Sequence, residues 1–153
     1  MTQGRPDLPV EGYFDGREHR FAVRVYFEDT DLSGVVYHAN YLRYMERARS
    51  DMLRIAGIDQ RAAHEAGEGA YAVADLAIRY HAPARLDDAL VVATRVRRVG
   101  AASVVVHQTI RRGAVMLASA DVTVALVAPS GRARRQPGAW REIYQRLEWQ
   151  GDA

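Results

Sequence analysis

Cysteine is absent from this chain, and so is lysine: all 21 basic residues among the 153 are arginine. Without cysteine there is no disulfide framework, no thiolate metal site and no cysteine nucleophile. Long apolar runs are missing too, since a membrane span takes about 20 apolar residues and the most apolar stretch, 114–128, is interrupted by Ser119, Asp121 and Thr123. No membrane span is expected. The first residues lack the cationic start and apolar segment of a secretory signal, so the expected location is cytoplasmic. Charge of one sign never accumulates in a long block: the arginines are interleaved with 19 acids for a net charge of +2, and nucleic acid is not an expected partner. Glycine-rich phosphate loops, a G-x-S-x-G elbow and an H-E-x-x-H helix are also lacking. His19, His64, His81 and His107 are dispersed without an i, i+4 pair, so neither a metal centre nor a cofactor is expected.

The 48% hydrophobic and 26% charged residues are those of an ordinary globular chain, and the length suits one domain. Residues 1–18, with Pro6, Pro9 and three glycines, read as a flexible N-terminal arm, 19–148 as the folded domain and 149–153 as a tail. From Arg20 to Phe27 the pattern alternates, setting Phe21, Val23, Val25 and Phe27 on one strand face. From about Tyr37 to Ala56 the apolar residues Tyr41, Met45, Ala48, Met52 and Ile55 recur in steps of four and three, which predicts a long helix stopped by Gly57. A short helix follows at 59–66. Strands are expected at 71–81, 89–99, 103–112 and 114–127, and the short turns between them predict antiparallel neighbours. Trp140, Ile143, Tyr144 and Leu147 fit a closing amphipathic helix. One long helix on one face of a curved antiparallel sheet is an α+β domain. Its open edge predicts association with a second copy.

The chemistry is concentrated between Tyr26 and Tyr41, where three acids, a glycine turn, His38 and Asn40 meet at the junction of a strand and the long helix. A helix N-terminus presents unpaired N–H groups and about half a positive charge, suited to an anion or a developing oxyanion. Asp31 precedes His38 by seven residues, so a folded turn could bring its carboxylate near those donors. The same residue types also serve as turn and capping residues.

This segment, Tyr26-Phe27-Glu28-Asp29-Thr30-Asp31 through Gly34-Val35-Val36-Tyr37-His38-Ala39-Asn40-Tyr41 and on to Glu46-Arg47-Ala48-Arg49, resembles the signature of hotdog-fold acyl-CoA thioesterases. The resemblance is to the 4-hydroxybenzoyl-CoA thioesterase group, and more closely to the bacterial Tol-Pal-associated thioesterases. A second matching run is Tyr80-His81-Ala82-Pro83-Ala84-Arg85-Leu86-Asp87-Asp88, and the likeness spans roughly 20–148. It implies a hotdog fold, a curved antiparallel sheet wrapped around one central helix. It also implies that Asp31 is the catalytic carboxylate, acting on the thioester directly or by deprotonating water, and that the His38 N–H polarises the thioester carbonyl, with Tyr26, Gly34, Tyr37 and Asn40 as supporting residues. Many relatives carry a tyrosine where this chain has Phe27.

Glu46 is a supporting candidate, since related hotdog enzymes use a helix glutamate; its position at the border of the buried face favours a charge pair with Arg43, Arg47 or Arg49. Arg85, Arg95, Arg97 and Arg98 are candidates for the phosphates of coenzyme A. The expected substrate is acyl-CoA or an acyl-carrier protein, and the expected assembly a homodimer or homotetramer with the site between subunits. The alternatives are a non-catalytic acyl-CoA-binding or scaffold module and, lacking the His-Phe-Pro-Gly run, a hydratase or dehydratase.

Overall fold

A computed structural model describes residues 7–151. Six strands form one antiparallel sheet, β1 (Tyr13–Asp15), β2 (Glu18–Arg24), β3 (Ala70–Tyr80), β4 (Ala89–Val99), β5 (Ser103–Arg112) and β6 (Val115–Val127). The helices are α1 (Asn40–Ala56), α2 (Gln60–Glu65) and α3 (Gly138–Leu147). Alternation explains the strands. In β4, Leu90, Val92, Thr94 and Val96 point inward and are buried, while Val91 faces outward; β5 repeats the pattern with Val104, Val106, Gln108 and Ile110. Against this face α1 lays Tyr41, Tyr44, Met45, Ala48 and Met52. Gly57 ends the helix at φ 98, its N–H reaching the Arg54 and Leu53 carbonyls. Buried Gln108 ties helix to sheet: its amide donates to the Met45 carbonyl at 3.0 Å and to Thr94 Oγ1 at 2.9 Å, and its oxygen accepts from Arg49 at 3.0 Å. This is the hotdog arrangement.

Four expectations need correction. First, the fold begins before His19: β1 and β2 form a hairpin through Gly16 at φ 61, with Asp15 opposite Glu18. Only residues 1–6 of the expected arm lie outside the described residues, as do 152 and 153 of the expected tail; Trp149 is bound to the sheet, its N–H donating to the Val96 carbonyl at 2.7 Å.

Second, β3 and β4 are not neighbours. The strand order is β1-β2-β4-β5-β6-β3, so β3 is an edge strand paired with β6, and segment 81–88 crosses the ends of β6 and β5 to reach β4. Three inter-strand steps of about 4.8 Å lie well within the reach of eight residues. Third, β2 stops at Arg24 and Phe27 is 81% exposed, because Phe27–Asp29 curls into a 3-10 turn. Fourth, α1 starts at Asn40 rather than Tyr37, and Ile55 is 36% exposed at the margin of the buried face.

Candidate active site

The loop between β2 and α1 is closed by its own backbone. The Tyr26 N–H donates to Asp29 Oδ2 at 2.8 Å, which turns the chain out of the strand. Asp31 N–H then meets the Val35 carbonyl at 3.0 Å, Gly34 N–H the Asp31 carbonyl at 3.0 Å, and Tyr37 N–H the Asp29 carbonyl at 2.8 Å. Gly34 sits at φ 82, a conformation that disfavours any side chain. The crossover holds the loop from below: Val36 N–H donates to the Ala84 carbonyl at 2.9 Å, and Val35 bridges to Arg85. These contacts bring Asp31, Gly34, Tyr37, His38, Asn40 and Arg85 into one region.

Asp31 is exposed at the turn. Its Oδ1 accepts from the Ser33 N–H at 2.8 Å and from the Ser33 hydroxyl. Those two donors, the hydroxyl foremost, together with the charge of His38, hold its carboxyl below the ordinary aspartate value. Asp31 is therefore ionised at neutral pH. At the helix start, the His38 carbonyl accepts from the Tyr80 hydroxyl at 2.7 Å, and the His38 ring tilts against Tyr37 at 4.5 Å. Among the described residues no oxygen accepts from the His38 N–H. A free N–H one residue ahead of the N-cap Ala39 is a donor for an oxyanion.

Two further residues at the base of the loop are buried. Asp29 is 5% and Asn40 8% exposed, and Asn40 Nδ2 donates to Asp29 Oδ1 at 2.7 Å. Tyr44 lies beside them, its phenol pushed upward by burial and then by Asp29. Asp29 is of a type suited to turns and caps, and the run Glu28-Asp29-Thr30-Asp31 gives no local sign of which acid is buried. Ser33 fits a turn residue in sequence and Tyr80 opens the second matching run, but their bonds to the Asp31 carboxylate and the His38 carbonyl are visible only in the fold.

The other candidates separate from this region. Tyr26 is 61% exposed beside Phe27. Glu46 forms no direct ion pair among the described residues, contrary to the expected pairing; it lines a cavity of about 220 Å³ with Arg49, Met52, Tyr71, Val106 and Tyr144. Asp31 is not among that cavity's lining residues. The arginines are divided: Arg85 lies at the loop, whereas Arg95, Arg97 and Arg98 occupy the distant end of β4. Arg95 is already engaged by Glu18 at 2.6 Å and stacks 3.8 Å from the Trp149 ring centroid, and Arg97 faces Asp121 at 3.6 Å. These four do not form one anion site. No helix among the described residues is long and apolar enough to cross a membrane.

Comparison with known proteins settles the family. The thioesterase superfamily pattern matches residues 33–128, more than half of the chain, taking in His38, Asn40 and Glu46 and beginning just after Asp31. The chain belongs to the thioesterase superfamily. Over 107 residues it is 47% identical to the acyl-CoA thioesterase YbgC of Haemophilus influenzae, covering 70% of this chain and 79% of that one. It is 43% identical over 111 residues to the acyl-CoA thioester hydrolase YbgC of Escherichia coli, covering 72% and 82%. A probable thioesterase from Bartonella henselae superposes with a TM-score of 0.75 at 40% identity, covering 78% of this chain and 99% of that one.

Proposed function

We propose that this thioesterase superfamily member is an acyl-CoA thioester hydrolase of the cytoplasm in which Asp31 supplies the catalytic carboxylate and the His38 N–H polarises the thioester carbonyl. The observation that carries the reading is the closed loop that presents an ionised carboxylate and an unpaired helix-start N–H from residues 31 and 38. A thioester is a good electrophile, so few groups are needed. Water adds to the carbonyl carbon as Asp31 takes its proton; the oxyanion accepts from the His38 N–H; collapse breaks the C–S bond, and the departing coenzyme A thiolate recovers the proton. Of the four arginines, Arg85, whose backbone bridges to Val35 in the loop, is the one proposed to meet a phosphate of the carrier.

Exposure of Asp31 in the single chain fits a site shared between copies. Edge strand β3 runs for 11 residues with Val73 50% and Tyr80 46% exposed, a surface suited to a homodimer or homotetramer that also shields the loop. Thiol release from a panel of acyl-CoAs tests the activity, and Asp31→Asn should lower turnover about 10²-fold to 10⁴-fold. Unchanged turnover in that variant removes Asp31 from the mechanism, and saturable binding without thiol release identifies a binding module instead.

A further inference from the structure

Three parts of the chain must keep a fixed spacing for the loop to work: the exit from β2, the return at Tyr37, and the first turn of α1. One residue touches all three. Asp29 accepts from the Tyr26 N–H through Oδ2 at 2.8 Å, from Asn40 Nδ2 through Oδ1 at 2.7 Å, and from the Tyr37 N–H through its carbonyl at 2.8 Å. We propose that Asp29, clamped by Asn40, is the positioning residue of this active site: it sets the His38 N–H and the Asp31 carboxylate in register without touching substrate. The inference rests on the reading of Asp31 and His38 given above.

The chemistry of the clamp supports a positioning role over a reacting one. Both partners are nearly fully buried, and both carboxylate oxygens of Asp29 are already accepting, one from the backbone and one from a neutral amide. No arginine is paired with it among the described residues, so the compensation for a buried charge comes from N–H donors and from the start of α1, where an anion is favoured. Tyr44, buried against the same carboxylate, closes the inner side. Outside this clamp the loop is held by backbone bonds of its own, by the Thr30 and Ser33 side chains within it, by Val36 and Val35 on the crossover and by the Tyr80 hydroxyl on the His38 carbonyl, and none of these joins Asn40 to the exit from β2. Loss of the clamp therefore frees the helix end relative to Asp31, and a shift of about 1 Å between catalytic groups can cost around 10²-fold in rate.

The test exchanges the two partners. Asp29→Asn puts an amide where a carboxylate accepted twice and sets two amides facing each other; Asn40→Asp sets two carboxylates facing each other. The double exchange restores one amide and one carboxylate, with the oxygen at 29 still able to accept from Tyr26 and its NH₂ donating to position 40. Turnover is measured well below the melting temperature, with folding followed by circular dichroism. Each single variant should lose about 10-fold to 100-fold in kcat with KM changed less than about threefold, and the double exchange should recover about 10-fold.

A folded Asp29→Asn enzyme with parental kcat, or a double exchange that recovers nothing, overturns the proposal. Should Asp29→Asn fail to fold, Asn40→Ala carries the test, since it keeps the Asp29–Tyr26 bond; the same kcat loss is expected, and unchanged kcat overturns the claim. Asp31→Asn is run in parallel. Lost activity there with normal activity in the clamp variants refutes the clamp alone, whereas retained activity there refutes the base.

Discussion

Gly12 offers a sharp test of whether the residues before His19 are part of the fold. A Cβ at this position would stand 2.3 Å from the Arg20 carbonyl oxygen, 2.7 Å from Asp51 Oδ2 and 2.8 Å from His19 Nε2. None of these can retreat easily. Arg20 is held in the sheet between Tyr13 and Ala93, and the buried His19 and Asp51 side chains are themselves bonded at 2.7 Å. Overpacking of this kind costs about 1–3 kcal/mol. If the segment lifts to avoid the clash, it loses the bond from the Gly12 N–H to Asp51 Oδ2, now 2.9 Å, and a hydrogen bond to a charged group is worth about 1.5–3 kcal/mol. The two costs are alternatives rather than a sum, so Gly12→Ala should destabilise by about 2–3 kcal/mol. For a chain of this length that corresponds to a melting temperature lower by roughly 4–12 °C. Circular dichroism melts of both proteins at one matched concentration read the shift, because association would make the melting temperature depend on concentration. A loose arm would leave the substitution silent, and a shift under about 1 °C would refute the docking argument.

Two pH experiments follow from the same geometry. Burial pushes His19 below the ordinary histidine value against the opposing pull of Asp51, so the unfolded chain takes up a proton more readily than the folded one. Stability is then complete above about pH 6.5 and is lost as the pH falls through that value toward the folded one; melts across this window should show the decline, and His19→Gln should flatten it. In the site, the Ser33 hydroxyl is the leading cause of the low Asp31 value. Ser33→Ala should raise it toward the ordinary aspartate range and move the acid limb of kcat/KM to higher pH, since activity requires the carboxylate; an unmoved limb means that another group controls it.

Elements governed by neighbours in sequence were readable in advance. The alternation of β4, β5 and β6, the helical face of α1 and the glycine at its end all follow from periodicity and local turn chemistry. The early hairpin has a local signal too, because Gly16-Arg17 between Tyr13-Phe14-Asp15 and the alternating β2 puts glycine at the first position of a two-residue turn; the prolines and glycines before it suggest a loose arm instead. What local pattern could not supply was partnership at a distance. A short connection between β3 and β4 suggested a hairpin, yet both β3 and β4 find other partners, β6 and β2, and the connection becomes the strap that supports the loop.

The same division runs through the site. The roles expected of Asp31 and His38 came from the resemblance carried by the continuous run Tyr26 to Tyr41, with which a turn carboxylate and a helix-start N–H are consistent. Arg95 looked free for phosphate until Glu18, 77 residues away, and Trp149 were placed beside it. Asp29 is by type a turn or capping residue, and its burial is explained only by Asn40, 11 positions on, bonded to it. Burying a charged group is costly unless it is partnered, so a charged residue's burial depends on what arrives from elsewhere in the chain. It follows that the groups expected to react are legible early in this fold, while the groups that position them become legible only when the distant half of each contact is in view.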